Sequence, residues 1–390
     1  MKSTKPRIRA PERKGDNFRI AINRFAVFCA YISGMKRISA IADRTALTAL
    51  AAFAALNVLF LISFVVVTFL AIGKAHAEAP ACKGTDMLVA LQKSDPALLE
   101  KIKAEAAQTV NGQGLLWKLE KPGEKPSFLF GTMHMTDPRV TSLTPAAQKA
   151  FDAADTVVIE TTEVIDQAKM MAAIMKEPDL TMFTDGTTLT SLLSPEDAAT
   201  VDKALEARGI PPASVAKMKP WMLSAVVALP ACELARKAQG APVLDIKLAK
   251  DAEASGKTLE GLETIADQLR AMASLPLDFH MKGLVETLKL GDRMDDVTET
   301  MIVLYQKGEI GMFWPLFRAV LPSGESDDAG YADFEETMVT ARNRVMVEHA
   351  EPILARGNAF IAVGALHLPG DNGLVELFRK DGFTVTAVDR

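Results

Sequence analysis

The sequence predicts an α/β fold, a central and mainly parallel sheet with a large helical insertion acting as an α+β cap. Three observations predict it. Short apolar runs such as Thr156-Val-Val-Ile159 alternate with longer helical stretches, the pattern of parallel strands joined by crossover helices. Two of these runs, Phe128-Leu-Phe-Gly131-Thr-Met-His134 and Ile361-Ala-Val-Gly364-Ala-Leu-His367, end in the same Gly-x-x-His form. Residues 163–255 between them are rich in Ala and Met and mostly helical, with breaks at Pro178, Pro195, Pro211, Pro212, Pro220 and Pro230.

The elements follow in order. Residues 86–109 carry Met87, Leu88, Leu91, Leu98, Leu99 and Ile102 at helical spacing, interrupted at Pro96. Asn111 to Gly114 form a turn, and 115–120 with 127–133 form a hairpin across 121–126. A helix near 144–154 has Thr144 as N-cap and Pro145 as its first residue. Residues 156–159 are a buried strand. Within the insertion, Met170, Met171, Met175 and Met182 are expected to fill a core. A strand at 257–261 precedes a helical stretch at 263–318 and a loop at 324–330. An amphipathic helix at 334–355, a strand at 359–363, a helix at 374–380 and a strand at 383–388 complete the chain.

Composition narrows the function. Of 390 residues, 49% are hydrophobic and 24% charged, so the chain can bury a core. Residues 1–77 hold 12 Lys/Arg against 3 Asp/Glu, and the rest holds 32 against 46. An acidic body argues against nucleic acid as a partner, since a phosphate backbone needs a basic face. Residues 46–72 carry no charge and are long enough to cross about 30 Å of hydrocarbon. The flank before them is basic, so residues 1–45 stay cytoplasmic and 78–390 are exported. Ala75-His-Ala77 has the form of a signal-peptidase site. Two outcomes stand open: an inner-membrane anchor facing the periplasm, or a periplasmic protein cleaved near Ala77. Cys82 and Cys232 are the only cysteines of the body. In an oxidising compartment they are either bridged, closing a loop worth about 3–5 kcal/mol, or two buried thiols.

The chemistry is expected at the strand ends. Each Gly-x-x-His throws a histidine just past the carboxyl end of a strand, the edge of an open α/β sheet where ligands bind. Strand 156–159 delivers Glu160 to its own carboxyl end. Neighbouring strands lie about 4.8 Å apart, so His134, His367 and Glu160 can meet around a divalent metal that activates water. Zinc, manganese and iron(II) all suit such ligands. The competing reading has each histidine capping its turn. His280 and His349 sit in helical stretches and are expected to be structural. His349 shares a face with Arg342 and Met346 and is the reserve ligand.

On these residues the sequence resembles the TraB/GumN family, which includes the Tiki metalloproteases. The resemblance is carried by Leu129-Phe-Gly-Thr-Met-His134, Val157-Val-Ile-Glu160, Leu259-Glu-Gly-Leu-Glu-Thr264 with Gln268, Arg342-Asn343, and Val363-Gly-Ala-Leu-His-Leu-Pro-Gly370 with Gly373-Leu374. It covers about 114–390. It implies a metal-dependent hydrolase fold built on the two Gly-x-x-His motifs and a glutamate, hence His134, His367 and Glu160. It also implies catalytic roles for Glu263 and Arg342, with an ion pair at the surface or in helix packing as the competing reading, and, more faintly, a role for Asp245. Some members shut off peptide pheromones. The expected function is therefore metal-dependent hydrolysis of a peptide or other acyl bond in a peptide or small-molecule substrate. His134 and His367 would hold the metal, and Glu160 would be third ligand or general base, the latter with a raised pKa. Arg342 would stabilise an oxyanion or clamp a substrate carboxylate. The alternative is a non-catalytic periplasmic protein that binds a peptide, another ligand or haem.

Overall fold

The computed structural model describes residues 82–320 and 328–389. The expected cytoplasmic segment, the apolar run 46–72, the Ala77 junction and His76 lie outside the described residues. Among the described residues no helix is long and apolar enough to cross a membrane.

Six strands form one sheet: β1 (Leu116–Glu120), β2 (Ser127–Thr132), β3 (Thr156–Ile159), β4 (Thr258–Gly261), β5 (Ala359–Gly364) and β6 (Thr384–Asp389). Their order is β4-β3-β5-β2-β1-β6. β4, β3, β5 and β2 run parallel, while β1 is antiparallel to both β2 and β6. The sheet is thus mainly parallel, as the alternation of strand and helix implied, and β1–β2 is the expected hairpin.

Side chains alternate across a strand, so each strand feeds two cores. Leu116, Phe130, Val157, Ile159 and Phe360 join one core, with the helices Pro145–Ala153, Leu244–Ala254, Arg293–Gln306 and Phe313–Val320. Trp117, Leu129, Val158, Ile361 and Val363 join the other, under the helices Ala341–Leu354 and Leu374–Lys380. Both faces are covered, which is why β3 and β5 read as unbroken apolar runs instead of alternating ones. Truncating a fully buried Phe360 to alanine in such a core costs about 3–5 kcal/mol.

A third core belongs to the cap. Leu189, Val201, Leu205, Val215, Leu223 and Val227 pack on Met281, Leu284, Val285 and Leu288. Helix Leu277–Leu290, from beyond 255, therefore completes the cap. Helix Leu244–Ala254, inside the stretch read as insertion, packs on the sheet instead, because Leu244, Leu248, Ala249 and Ala252 present one apolar face to it. The methionines differ from expectation. Met171, Met175 and Met182 are exposed, and helix Gln167–Lys176 buries no residue. The composition of that helix fitted a core, but its contacts with helix Ile265–Ser274 leave Met171 and Met175 exposed.

Local signals explain the element ends. Thr144 accepts from the Ala147 N–H with Pro145 in the first turn. Thr264 and Asp267 form a reciprocal capping box that starts helix Ile265–Ser274. The break at Pro96 divides helices Met87–Ser94 and Pro96–Ala106, with Asp95 capping the second. The expected single helix at 334–355 is instead α-helix Asp328–Glu335, a π-helical turn Glu336–Thr340 and helix Ala341–Leu354. Helix therefore begins at Asp328, inside the loop expected at 324–330.

Cys82 and Cys232 form a disulfide, their Cα atoms 5.2 Å apart and 150 positions apart in sequence. It fastens the start of the described chain to helix Ala231–Ala238.

Candidate metal centre

All four parallel strands point their carboxyl ends at one place. β2 leads to His134, β3 to Glu160, β4 to Glu263 and β5 to His367. The glycines permit the close approach. A Cβ on Gly131 would lie 2.7 Å from the Leu368 side chain and 3.0 Å from Ala365 Cα, so with a larger residue Leu368 and the Ala365 backbone would have to shift for the two Gly-x-x-His turns to pack together. A Cβ on Gly364 would lie 3.2 Å from Glu160 Oε1, where the Gly364 N–H now donates at 2.7 Å.

The two histidines are held alike. His367 Nδ1 lies 2.6 Å from Asn343 Oδ1. The Asn343 amide nitrogen already donates to the carbonyls of His367 and Asn372, so Oδ1 accepts and Nδ1 carries the proton. His134 Nδ1 lies 2.7 Å from Asp245 Oδ2, a carboxylate that also accepts from the Thr132 hydroxyl. In His367, and in His134 once its ring has lost a proton, Nε2 is left as the lone-pair nitrogen. This is how metal-binding imidazoles are fixed, the second nitrogen donating to a carboxylate or carbonyl. They differ in burial. His367 is buried, whereas the His134 side chain is 63% exposed.

Glu160 is buried and clamped. Its Oε1 accepts from Gly364 and stands 3.9 Å from His367 Nε2; its Oε2 accepts from Arg342 Nη2 at 2.7 Å and Gln268 at 3.0 Å. Glu263 takes the other side of the same guanidinium, with Nε at 3.0 Å from Oε1 and Nη2 at 2.6 Å from Oε2. Arg342 Nη1 donates to the Met338 carbonyl, inside the π-helical turn. Expected to face an oxyanion or a substrate carboxylate, Arg342 instead has its donors committed to two glutamates and a carbonyl. It acts here as an internal clamp. Such π turns frequently mark functional sites, since they shift the helix register to aim one side chain.

These contacts set the charges. Burial pushes the Glu160 carboxyl up, but His367, His134, Arg342 and the Gly364 N–H outweigh it and bring the group to about 2. A general base would need a raised value; in the metal-free protein the carboxyl is held low because several cationic and N–H groups converge on it. Burial is the main cause holding His367 at about 4, with Arg342 and His134 adding to it and Glu160 opposing. The Asp245 carboxylate raises His134 to about 9, against burial and Lys237, though water screens a ring this exposed.

A pH dependence follows for the metal-free protein. His367 is depressed from 6.5 to about 4, so the unfolded chain takes the proton first. The stability it contributes is full above about pH 6.5 and falls as pH drops toward 4. At about 1.4 kcal/mol per pH unit, the expected loss between about pH 7 and pH 5 is about 2 kcal/mol. Glu160 adds its own loss only below about 4.5. The raised His134 works the other way, helping below 6.5 and fading as pH rises through about 9. Urea unfolding of chelator-treated protein at the two pH values measures the slope. In His367→Gln the slope between pH 7 and 5 should flatten; an unchanged slope would assign it elsewhere.

The expected trio is only partly assembled. Glu160 and His367 face each other at 3.9 Å, while His134 turns its Nδ1 to Asp245. Among the described residues no group of three or more His, Cys, Asp or Glu stands close enough to hold a metal ion. The donor chemistry nonetheless fits a divalent cation. A lone-pair nitrogen faces a carboxylate oxygen across 3.9 Å with no ring proton between them, a pairing that a cation, a proton or a water donating to both would relieve, and nitrogen with carboxylate oxygen is a donor set that suits a divalent cation. His349 is not in the centre: its Nδ1 bonds the Leu262 carbonyl and ties helix Ala341–Leu354 to the end of β4. His280 bonds the Met272 carbonyl at 2.9 Å and is structural. Asp245, the faintest of the sequence candidates, proves to orient His134; no local pattern distinguished it from other helix-start acids. Asn343 and Gln268 stood in the motifs, but their partners were not readable there.

A profile of the TraB/PrgY/gumN family matches residues 115–387. Metalloprotease TIKI2 of Danio rerio is 24% identical over 317 residues, covering 69% of this chain and 60% of that protein. Metalloprotease TIKI1 of Danio rerio is 23% identical over 314 residues, covering 69% and 62%. Metalloprotease TIKI2 of Xenopus tropicalis is 25% identical over 186 residues, covering 42% and 35%. The chain thus spans about 60% of the length of the first two relatives. No solved structure matches.

Proposed function

The chain belongs to the TraB/PrgY/gumN family, and from that premise we propose that it is a metal-dependent hydrolase that cuts a peptide or other acyl bond outside the cytoplasm. The observation that carries the proposal is the mirrored pair of imidazoles, each with Nδ1 held by a side-chain acceptor and Nε2 left free, beside an arginine-clamped carboxylate. The metalloprotease names of the relatives supply the peptide as substrate class.

His134 and His367 would hold a divalent cation, each with the ring nitrogen that its Nδ1 partner leaves free. When bound, such an ion lowers the pKa of water and polarises a carbonyl. Asp245 and Asn343 keep the two rings in the ligating tautomer. Glu160 stays ionised and presents Oε1 toward His367, while Arg342 and Gln268 keep Oε2 from turning. Oε1 would serve either as the third ligand or as a proton acceptor. Glu263 neutralises the second half of Arg342. Export is supported by the apolar run at 46–72 and by the Cys82–Cys232 bridge, which needs an oxidising compartment.

Metal analysis of the purified full chain, followed by a peptide-library cleavage screen with and without chelator, tests the reading. Stoichiometric Zn, Mn or Fe and chelator-sensitive cleavage are expected. Glu160→Gln separates its two roles: metal retained with turnover lost means proton acceptor, and loss of both means ligand. A chain that retains no metal and cuts nothing would be a binding protein.

A further inference from the structure

We propose that Glu233 is a positioning residue for His134 and that the Cys82–Cys232 disulfide holds Glu233 in place. The proposal rests on the metal-centre reading above.

His134 is exposed and lies on the irregular segment between β2 and the short helical turn Pro138–Thr141. Asp245 fixes its ring, but the backbone beneath it must be fixed from elsewhere. Two residues on, the Thr136 N–H donates to Glu233 Oε1 and the Thr136 hydroxyl donates to Oε2, both at 2.8 Å. Glu233 is fully buried. Arg236, one turn along the same helix, donates to Glu233 Oε2 and to the Thr136 hydroxyl at 3.0 Å and lies 3.7 Å from Asp137. Its remaining nitrogen sits 3.3 Å from Cys82 Sγ.

The helix carrying Glu233 has little else to hold it. Of the residues in Ala231–Ala238 only Cys232 and Glu233 are buried. With so little apolar contact, its place depends on the polar network and on the bridge at Cys232. The other end of the bridge is itself anchored. The Thr85 N–H and hydroxyl donate to Asp296, and the Met87 N–H donates to Thr300, both on helix Arg293–Gln306. That helix also holds Glu299, which takes a two-nitrogen fork from Arg139, the residue that pairs with Asp137. The contacts close a ring: Cys82, the 82–87 segment, helix Arg293–Gln306, Arg139 and Asp137, Thr136, Glu233, Cys232. The loop with His134 is one side of it. Opening the bridge frees one corner and lets Thr136, and His134 with it, drift from the position in which Asp245 holds the His134 ring.

The experiment compares the full chain oxidised, reduced with the reductant then removed, as Cys82→Ser/Cys232→Ser, and as Glu233→Gln. Hydrogen exchange of residues 133–140 and calorimetric titration with Mn²⁺ are the two readouts. Reduction should speed exchange at 133–140 by about tenfold or more and weaken Mn²⁺ binding by about tenfold, the lower end for groups that orient ligands. Oxidised Glu233→Gln should show the same changes, and reducing that variant should add nothing further, as expected of residues acting through one path. A bridge that only stabilises would lower the melting temperature with exchange at 133–140 and Mn²⁺ affinity unchanged, which overturns the proposal. If the wild type binds no Mn²⁺, the metal reading fails separately, and the exchange arm still decides: faster exchange confined to 133–140 upholds the positioning role, and unchanged exchange overturns it.

Discussion

Replacing Arg342 by alanine is expected to destabilise the protein by about 3–5 kcal/mol and to abolish turnover. The reason is the pair of carboxylates it leaves behind. The Glu160 side chain is 10% exposed and that of Glu263 3%, and Arg342 is the cation between them. Removing one partner of a buried ion pair leaves an uncompensated charge at about that cost. Here two carboxylates remain, each repelling the other. Arg342→Lys keeps the charge but has one nitrogen where the guanidinium forks across two groups, so an intermediate loss is expected. Urea unfolding measures the stability, and the double variant Arg342→Ala/Glu263→Gln should recover part of it by removing one orphaned charge. A loss below about 1 kcal/mol for Arg342→Ala would mean that water reaches both glutamates and that the clamp is not structural.

The second large effect is on metal retention. His134→Ala and His367→Ala should each remove bound metal to background after dialysis, since each deletes one of two imidazole donors. Asp245→Asn and Asn343→Ala should weaken binding by about 10–100-fold while leaving both imidazoles present. The fold should respond unequally. His134 is exposed, so its loss should cost stability of order 1 kcal/mol or less. His367 is buried, and truncating it strands Asn343 Oδ1, which costs about 1–3 kcal/mol. Metal content by mass spectrometry and melting temperature check both halves. If both variants keep their metal, these imidazoles are turn-capping groups and the centre lies elsewhere.

How much of this was legible in the sequence depends on the range of each cause. The strands β3 and β5 were legible because a strand buried on both faces must be apolar at every position. The Gly-x-x-His turns were legible because the motif recurs at two strand ends, and the close contacts at Gly131 and Gly364 favour glycine there. The helix start at Thr144 was legible because a cap acts within three residues. Each of these is a constraint between neighbours in the chain, and composition records it directly.

The rest was decided by packing between distant segments. The sequence determined that His134, Glu160 and His367 leave strand ends, but not which way their rings and oxygens turn. That is set by Asp245, 111 positions from His134, and by Arg342, 182 positions from Glu160. It determined that helix Gln167–Lys176 is helical, but not that Met171 and Met175 face outward, because amphipathic spacing says which residues share a face and not whether another element covers it. It suggested a faint role for Asp245 and left Arg342 between a catalytic role and an ion pair, and it is tertiary contacts that set Asp245 against His134 and Arg342 between Glu160 and Glu263. The physical reason is common to all of these. Secondary structure is specified by hydrogen bonds and side chains a few residues apart, whereas the charge state and aim of a buried group depend on every element that converges on it.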